Sequence, residues 1–299
     1  MESLITLVSV LTPMFAGFFI RVPKHLLPAI DKVLTLLVYI ILLLIGVSLS
    51  QVENLFARLD TILWQTLLLF GCIIGMNLAV LVWFDRRHPW QLAGGRKTSV
   101  SISGSIKQLG CVVVGFILGS LLPQAWLPPE KTGMYFLMAM VLLVGIQLNG
   151  SGIKIRQVLI NKRGVQTGLL LMASSLAGGL LFAACVAEVS WTQGLAMASG
   201  FGWYSLSGLV MTEAYGAVWG SVALLNDLGR EFLALLTIPL LMRRCPSSAV
   251  GIGGATSLDF TLPVIQGAGG LQVVPLAISA GFLINVAAPF LMVVFSSFG

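Results

Sequence analysis

The chain has 299 residues, of which 57% are hydrophobic and only 9% charged. A soluble domain carries about 25% charged residues, and a chain this apolar could not cover a water-facing surface, so a soluble protein is excluded. The net charge of +6 does not point to nucleic acid: the basic residues sit mostly in short loops between apolar runs, where membrane topology accounts for them, and no basic run is interleaved with base-stacking aromatics.

In chain order the apolar segments fall at 4–20, 33–50, 61–84, 102–122, 134–149 and 165–187. Several approach or exceed the about 20 residues that cross a bilayer core. Met1 and Glu2 lead into the first of them without a positive stretch or a small-residue cleavage site, so it reads as a spanning helix rather than a cleaved signal. Two composite stretches follow, one holding 194–216 and 217–242, the other 249–267 and 271–298. The expected fold is all-α: a polytopic membrane protein with about eight transmembrane helices plus two re-entrant or broken segments, in a single transporter domain over 1–299. The lipid bilayer is its first partner.

Two internal echoes refine this. LLLIGVSL at 42–49 resembles LLVGIQL at 142–148, aligning Gly46 with Gly145, and Gln65-Thr66 matches Gln166-Thr167. A repeat of three spans has an odd number of crossings, so 1–90 and 100–190 are expected to be inverted three-helix repeats, a recurring build of secondary transporters. In the second half, GWYSLSG at 202–208 aligns with GATSLDF at 254–260, and each precedes a long apolar helix with a late proline, Pro239 or Pro289. Both echo segments are rich in Gly, Ser and Thr, which are weak helix formers. They read as interrupted segments, of a kind that survives at membrane depth only when buried in protein or lining a watery cavity.

Charge placement chooses between ten crossings and eight. With the N-terminus outside and both interrupted segments re-entrant, the inside loops hold Arg21, Lys24, Lys32, Arg86, Arg87, Arg96, Lys97, Lys107, Lys154, Arg156, Lys162, Arg163, Arg243 and Arg244, which is 14 of the 17 Lys and Arg residues. Arg58 and Lys131 are outside and Arg230 lies in a span. This arrangement obeys the positive-inside rule, with both termini outside. It also makes 194–242 and 249–298 a second inverted pair, each a re-entrant segment plus a helix, whose tips could meet near the midplane, where substrate sites of such transporters lie.

The residues that could carry chemistry cluster there. Asp227, Arg230 and Glu231, in NDLGRE at 226–231, lie near the middle of the 217–242 helix, where each charge costs about 2.5–3.5 kcal/mol on insertion scales. Asp227 and Arg230 are three apart on one face and can form an ion pair that braces the bundle. Glu231 is adjacent to Arg230, and adjacent side chains do not face each other, so that pair does not account for it. An intramembrane carboxylate of this kind is a candidate for proton exchange. Asp259, in SLDFTLP, can cap broken backbone or bind an ammonium group. Asn226, Ser205, Ser207, Thr256 and Ser257 supply polar groups, although Ser and Thr also serve as ordinary helix-packing glue. Glu213 reads as an outer-interface residue, and Trp203, Tyr204 and Trp219 as packing or interface anchors.

Enzyme readings fare poorly. Histidines occur only at 25 and 88, in inside loops, which argues against a Ser–His hydrolase. No GxGD motif accompanies the aspartates and no GxxxxGK[ST] loop occurs. Cys72, Cys111, Cys185 and Cys245 form no CxxC pair, so neither a disulfide nor a metal site is expected, and no cofactor.

ASGFGWYSLSG at 198–208, NDLGRE at 226–231 and GATSLDFTLPV at 254–264, together with VLLVGIQL at 141–148 and LINKRG at 159–164, closely resemble the bacterial LysO family of lysine exporters. The resemblance implies a carrier in the bacterial cytoplasmic membrane that exports L-lysine and its toxic analogues, with protons as the coupling ion in an antiport. It points first to Glu231 and second to Asp259 as acidic residues that matter. Segments one to six show no obvious central acid. The competing readings are an ion-coupled carrier of another small solute, such as an organic acid, and an intramembrane enzyme.

Overall fold

In the computed structural model, residues 12–13, 16–17, 19–20, 22–51, 55–90, 103–123, 126–129, 132–150, 161–258 and 260–298 are described. Most of the first expected segment, 4–20, lies outside the described residues, and so does Asp259. Among the described residues there are eleven α-helices and no strands: α1 (Leu27–Ser50), α2 (Leu55–Arg87), α3 (Ser103–Leu121), α4 (Thr132–Gly150), α5 (Lys162–Cys185), α6 (Trp191–Ala198), α7 (Tyr204–Tyr215), α8 (Ala217–Leu241), α9 (Pro246–Gly253), α10 (Leu262–Gly269) and α11 (Val274–Ser296). A 3-10 segment, Gly254–Leu258, follows α9.

Four stretches are long and apolar enough to cross a membrane: Leu27–Val47, Leu59–Arg87, Lys162–Cys185 and Val274–Ser296. α8 matches them in length at 25 residues but carries Asp227, Arg230 and Glu231. Leu63, Trp64 and Leu67 on α2, Leu169 on α5 and Leu240 on α8 turn outward, as side chains do where lipid rather than water is the solvent. The chain is a multi-pass helical membrane protein, as its composition requires.

Contacts between helices fix their directions. Asn77, Asp85 and the Cys72–Ile73 backbone of α2 meet Ser174, Arg163 and Gly178 of α5 respectively, so the two helices are antiparallel. The C-terminus of α2 therefore sits beside the N-terminus of α5. This end of the bundle carries Arg86, Arg87, Lys162 and Arg163, and is called the basic end below. α8 also finishes there, because Arg243 and Arg244 follow it and the next residues, Ser247 and Ser248, bond to Asp85. α11 starts at the same end, with Leu276 and Ser279 against Gly164 of α5, and runs alongside α5.

Both interrupted segments are helical hairpins. α6 leaves the far end beside the last turns of α5, with Gly194 packed on Gly179 and Ala183. The chain turns at Phe201 and Gly202, both with positive φ (50° and 97°). α7 then returns to the far end, where Gly208 and Thr212 lie against Gly220 at the start of α8. The second hairpin is the opposite of the first. α9 leaves the basic end, breaks at Gly254 (φ 58°), and α10 returns to bring Gly269 against Met242 and Val273. The tips touch: the Ala255 N–H donates to the Phe201 carbonyl at 2.9 Å.

α1, α3 and α4 form a flanking layer. Gly46 of α1 lies on Val112 of α3, and Gly115 of α3 on Leu43 of α1. The layer reaches the first hairpin through Ile45 on Gly208 and through Leu209 on Gly133.

Helix ends follow ordinary capping chemistry. The Asn161 side chain accepts from the Gly164 N–H at 2.7 Å to start α5, and Ser190 accepts from Gln193 at 3.1 Å to start α6. The backbones of α5 and α6 approach so closely at Gly179 and Gly194 that a Cβ on either would meet the other's carbonyl oxygen. Gly194→Val is therefore expected to lower stability by about 1–3 kcal/mol through overpacking. A fall in the unfolding temperature of the purified protein in detergent checks this; an unchanged temperature would mean that α6 does not pack on α5 in this way.

Candidate functional site

The tip-to-tip junction faces the middle of α8, where Asp227 and Arg230 are the eleventh and fourteenth of its residues. Both are about 2% exposed. They are one turn apart on one face, yet they do not pair with each other; among the described residues the salt bridge within 4 Å is Asp85–Arg163. The sequence allowed an Asp227–Arg230 ion pair, and the structure corrects this: each charge has hydrogen-bond partners on a different hairpin. Free backbone groups at the broken helices draw the two side chains apart.

Asp227 belongs to the first hairpin. Its Oδ2 accepts from the Ser207 hydroxyl at 2.7 Å and its Oδ1 from the Asn226 amide at 3.0 Å. Gly200, just before the tip, lies against the same Oδ2 oxygen. A carboxylate here stands at the start of α7 and suits the positive end of that helix's dipole. Arg230 belongs to the second hairpin. Its Nε donates to the Ile252 carbonyl at 2.9 Å and its Nη2 to the Gly251 carbonyl at 2.8 Å. Those carbonyls lie in the last turn of α9, where a cation suits the negative end of the dipole. The D-x-x-R spacing thus lets one helix hold two oppositely directed hairpins.

The remaining candidates divide. Glu231 is buried to the same degree as its neighbours, about 2% exposed, in the same turn of α8. Thr256 and Ser257 are at the second tip, but their hydroxyls close on backbone: Thr256 on the Gly253 carbonyl at 2.8 Å and Ser257 on that of Gly254 at 2.7 Å. Ser205 is buried and turned toward α4, with its Oγ 3.8 Å from Met140 Sδ. Glu213 is exposed. Trp219 packs edge-on against Phe182, with centroids 6.5 Å apart.

Sequence reasoning missed three residues. Asn285 of α11 donates to the Ala255 carbonyl at 2.8 Å and so supports the second tip; an amide inside an otherwise apolar helix was the available signal. Asn77 of α2 accepts from Ser174 at 2.6 Å and Ser175 at 3.1 Å of α5. Asp85 stands beside Arg86 and Arg87 at the end of α2, yet it is about 2% exposed. Its partners are 78 to 163 positions away, so no local pattern could have marked it.

A multi-pass helical protein with two opposed broken hairpins, clamped by buried charges at mid-helix, falls in the class of membrane transporters rather than enzymes. Comparison with known proteins narrows the class. Residues 109–296 match the model of the family described as lysine exporter LysO. The chain is 40% identical over 297 residues to the "Lysine exporter LysO" of Escherichia coli K12, covering 97% of this chain and 99% of that protein. It is 48% identical over 191 residues to a "Putative lysine exporter" of Haemophilus influenzae, covering 64% of this chain and 97% of that one. No solved structure matches. The chain belongs to the LysO family of lysine exporters, which are transporters.

The two serines of GWYSLSG are expected to behave differently. Ser207→Ala removes a hydrogen bond to a charged group and should cost about 1.5–3 kcal/mol, whereas Ser205→Ala should cost less than about 1 kcal/mol. Thermal unfolding of both variants in detergent checks the order. A larger loss for Ser205 would place the Asp227 bond elsewhere.

Proposed function

We propose that this chain exports L-lysine, and lysine-like cations, from the cytoplasm in exchange for protons. The observation that carries the reading is the near full-length similarity to a named lysine exporter. The buried charges of α8 support it, since a cation carrier needs negative charge at membrane depth and an organic-acid carrier does not.

The membrane reading that goes with it has eight crossings, with both termini outside the bacterial cytoplasmic membrane and the basic end in the cytoplasm. The two hairpins are then re-entrant segments of an inverted pair, 194–242 and 249–298. The three-helix units 1–90 and 100–190 form the other inverted pair.

In this scheme lysine enters from the basic end toward the junction of the tips. Glu231 and Asp259 balance its net positive charge. Broken backbone near the tips, with Ser205, Ser207, Thr256 or Ser257, holds the α-amino and α-carboxylate groups. Asp227 and Arg230 stay charged and keep the hairpins in place, and Asn226 orients the Asp227 carboxylate. A proton arriving from outside neutralises Glu231, which weakens its hold on the ammonium group and releases lysine outward. Exchange of one cation for another at one carboxylate couples the two flows, and the opposed hairpins provide alternating access.

Purified protein in lysine-loaded vesicles tests this. Lysine efflux should rise when the outside is made acidic. Glu231→Gln, which cannot exchange a proton, should cut efflux by at least about tenfold, or 1.4 kcal/mol, at equal amounts of inserted protein. Efflux from that variant at the normal rate would remove Glu231 from the mechanism. Flux of an organic acid in place of lysine would favour the alternative substrate class.

A further inference from the structure

α9 is only eight residues long, and its two ends are held in different ways. At its C-terminal end Arg230 takes the Gly251 and Ile252 carbonyls. At its N-terminal end the residue before the helix, Cys245, offers no side-chain bond. The cap comes instead from Asp85 of α2. Asp85 Oδ1 accepts from the Ser247 N–H at 3.1 Å, and Oδ2 accepts from the Ser248 N–H at 2.8 Å and the Ser248 hydroxyl at 2.9 Å. The carboxylate side chain is 1% exposed.

Arg163 of α5 completes the cluster. Its Nη2 donates to Asp85 Oδ1 at 2.7 Å and its Nε to the Ser247 hydroxyl at 2.9 Å. Its guanidinium lies over the rings of Phe84 and Trp90, 5.5 and 5.3 Å from their centroids. In the last turn of α9, Leu81 of α2 sits on Gly251. The short helix therefore has a negative charge at its N-terminus and a positive one at its C-terminus, the signs that its dipole favours. It spans about 12 Å at 1.5 Å per residue, from the basic end to the junction of the tips.

We propose that Asp85, braced by Arg163, is a positioning residue for transport: it sets the height of α9, so that the carbonyls of the last turn meet Arg230 and the second tip meets the first. The proposal rests on the export reading for its transport consequence but not for its structural one. Asp85 does not touch the junction, so its loss acts on turnover rather than on substrate affinity. Arg163 contributes by holding the carboxylate against the α9 N–H groups.

The test compares Asp85→Ala with Asp85→Asn in a Cys72→Ser, Cys111→Ser, Cys185→Ser background, which leaves Cys245 at the start of α9 as the only thiol. Two readouts are taken on purified protein in vesicles: lysine flux per folded molecule, and the rate at which a maleimide labels Cys245. Asn keeps one of the two acceptor oxygens and so can still bond an α9 N–H, whereas Ala keeps neither. Asp85→Ala should lower maximal flux by about tenfold while the half-saturating lysine concentration stays within about twofold. Asp85→Asn should keep flux within about threefold of the parent, and Cys245 should label several-fold faster in the Ala variant than in the Asn variant. Two results would overturn the proposal: flux in Asp85→Ala within about twofold of the parent, or equal loss in both variants. If Asp85→Ala does not fold, Asp85→Asn decides alone, with flux retained sustaining the proposal and a tenfold loss overturning it. If the parent moves no lysine, the export reading falls and the labelling decides: faster labelling of the Ala variant keeps Asp85 as the anchor of α9, and equal rates remove it.

Discussion

Peptide groups at a helix break cannot be left unsatisfied at membrane depth, where each orphan costs several kcal/mol and no bulk water stands in. This protein breaks its backbone twice near the same level, at Phe201–Gly202 and at Gly254. The tips satisfy part of the need with each other, through the Ala255 N–H and the Phe201 carbonyl. Further bonds come from α8 and α11: Asp227 accepts from the Ser207 hydroxyl of the first hairpin, Arg230 takes two α9 carbonyls, and Asn285 takes the Ala255 carbonyl. Much of the rest of the architecture follows from that requirement. A helix that must satisfy one tip with an acceptor and the other with donors needs opposite charges one turn apart, which is what D-x-x-R supplies.

The same constraint explains where the packing is tightest. Short half-helices such as α6 and α9 have few turns with which to hold their positions, so their neighbours come close. α6 is fixed by the Gly179–Gly194 approach to α5. α9 is fixed by Leu81 on Gly251 and by polar caps at both ends. The flanking α1, α3 and α4 meet the hairpins through apolar contacts such as Ile45 on Gly208. Directional bonds therefore concentrate where the backbone is broken, while non-directional packing serves where it is continuous.

Much of the fold was legible because lipid imposes a coarse and local rule. Apolar runs gave segments such as 33–50 and 165–187, which contain or overlap α1 and α5, and Gly-, Ser- and Thr-rich stretches at 202–208 and 254–260 marked both hairpin tips. The buried charges of NDLGRE were visible for the same reason: a charge in an apolar run is conspicuous. Their pairing was not. Helical spacing suggested that Asp227 and Arg230 meet, but spacing cannot see backbone orphans brought in from 20 or more residues away. Asp85 was hidden by the opposite effect. It stands beside Arg86 and Arg87 at a helix end, where charges are ordinarily solvated, and only the arrival of α9 from the far part of the chain buries it.

Charge accounting in the turn 227–231 connects the scaffold to its task. Asp227 and Arg230 carry opposite formal charges, and each is bonded to a hairpin rather than to the other. Their net contribution to the junction is close to zero. Glu231 adds a third charge in the same turn, so the segment carries one net negative charge when all three are ionised. That is the complement of a substrate with two ammonium groups and one carboxylate. Protonating Asp227 would weaken its bond from Ser207 of the first hairpin. On the proposed reading, in which Glu231 exchanges the proton, the exchanging charge sits next to the pair bonded to the hairpins, on the adjoining face of one helix.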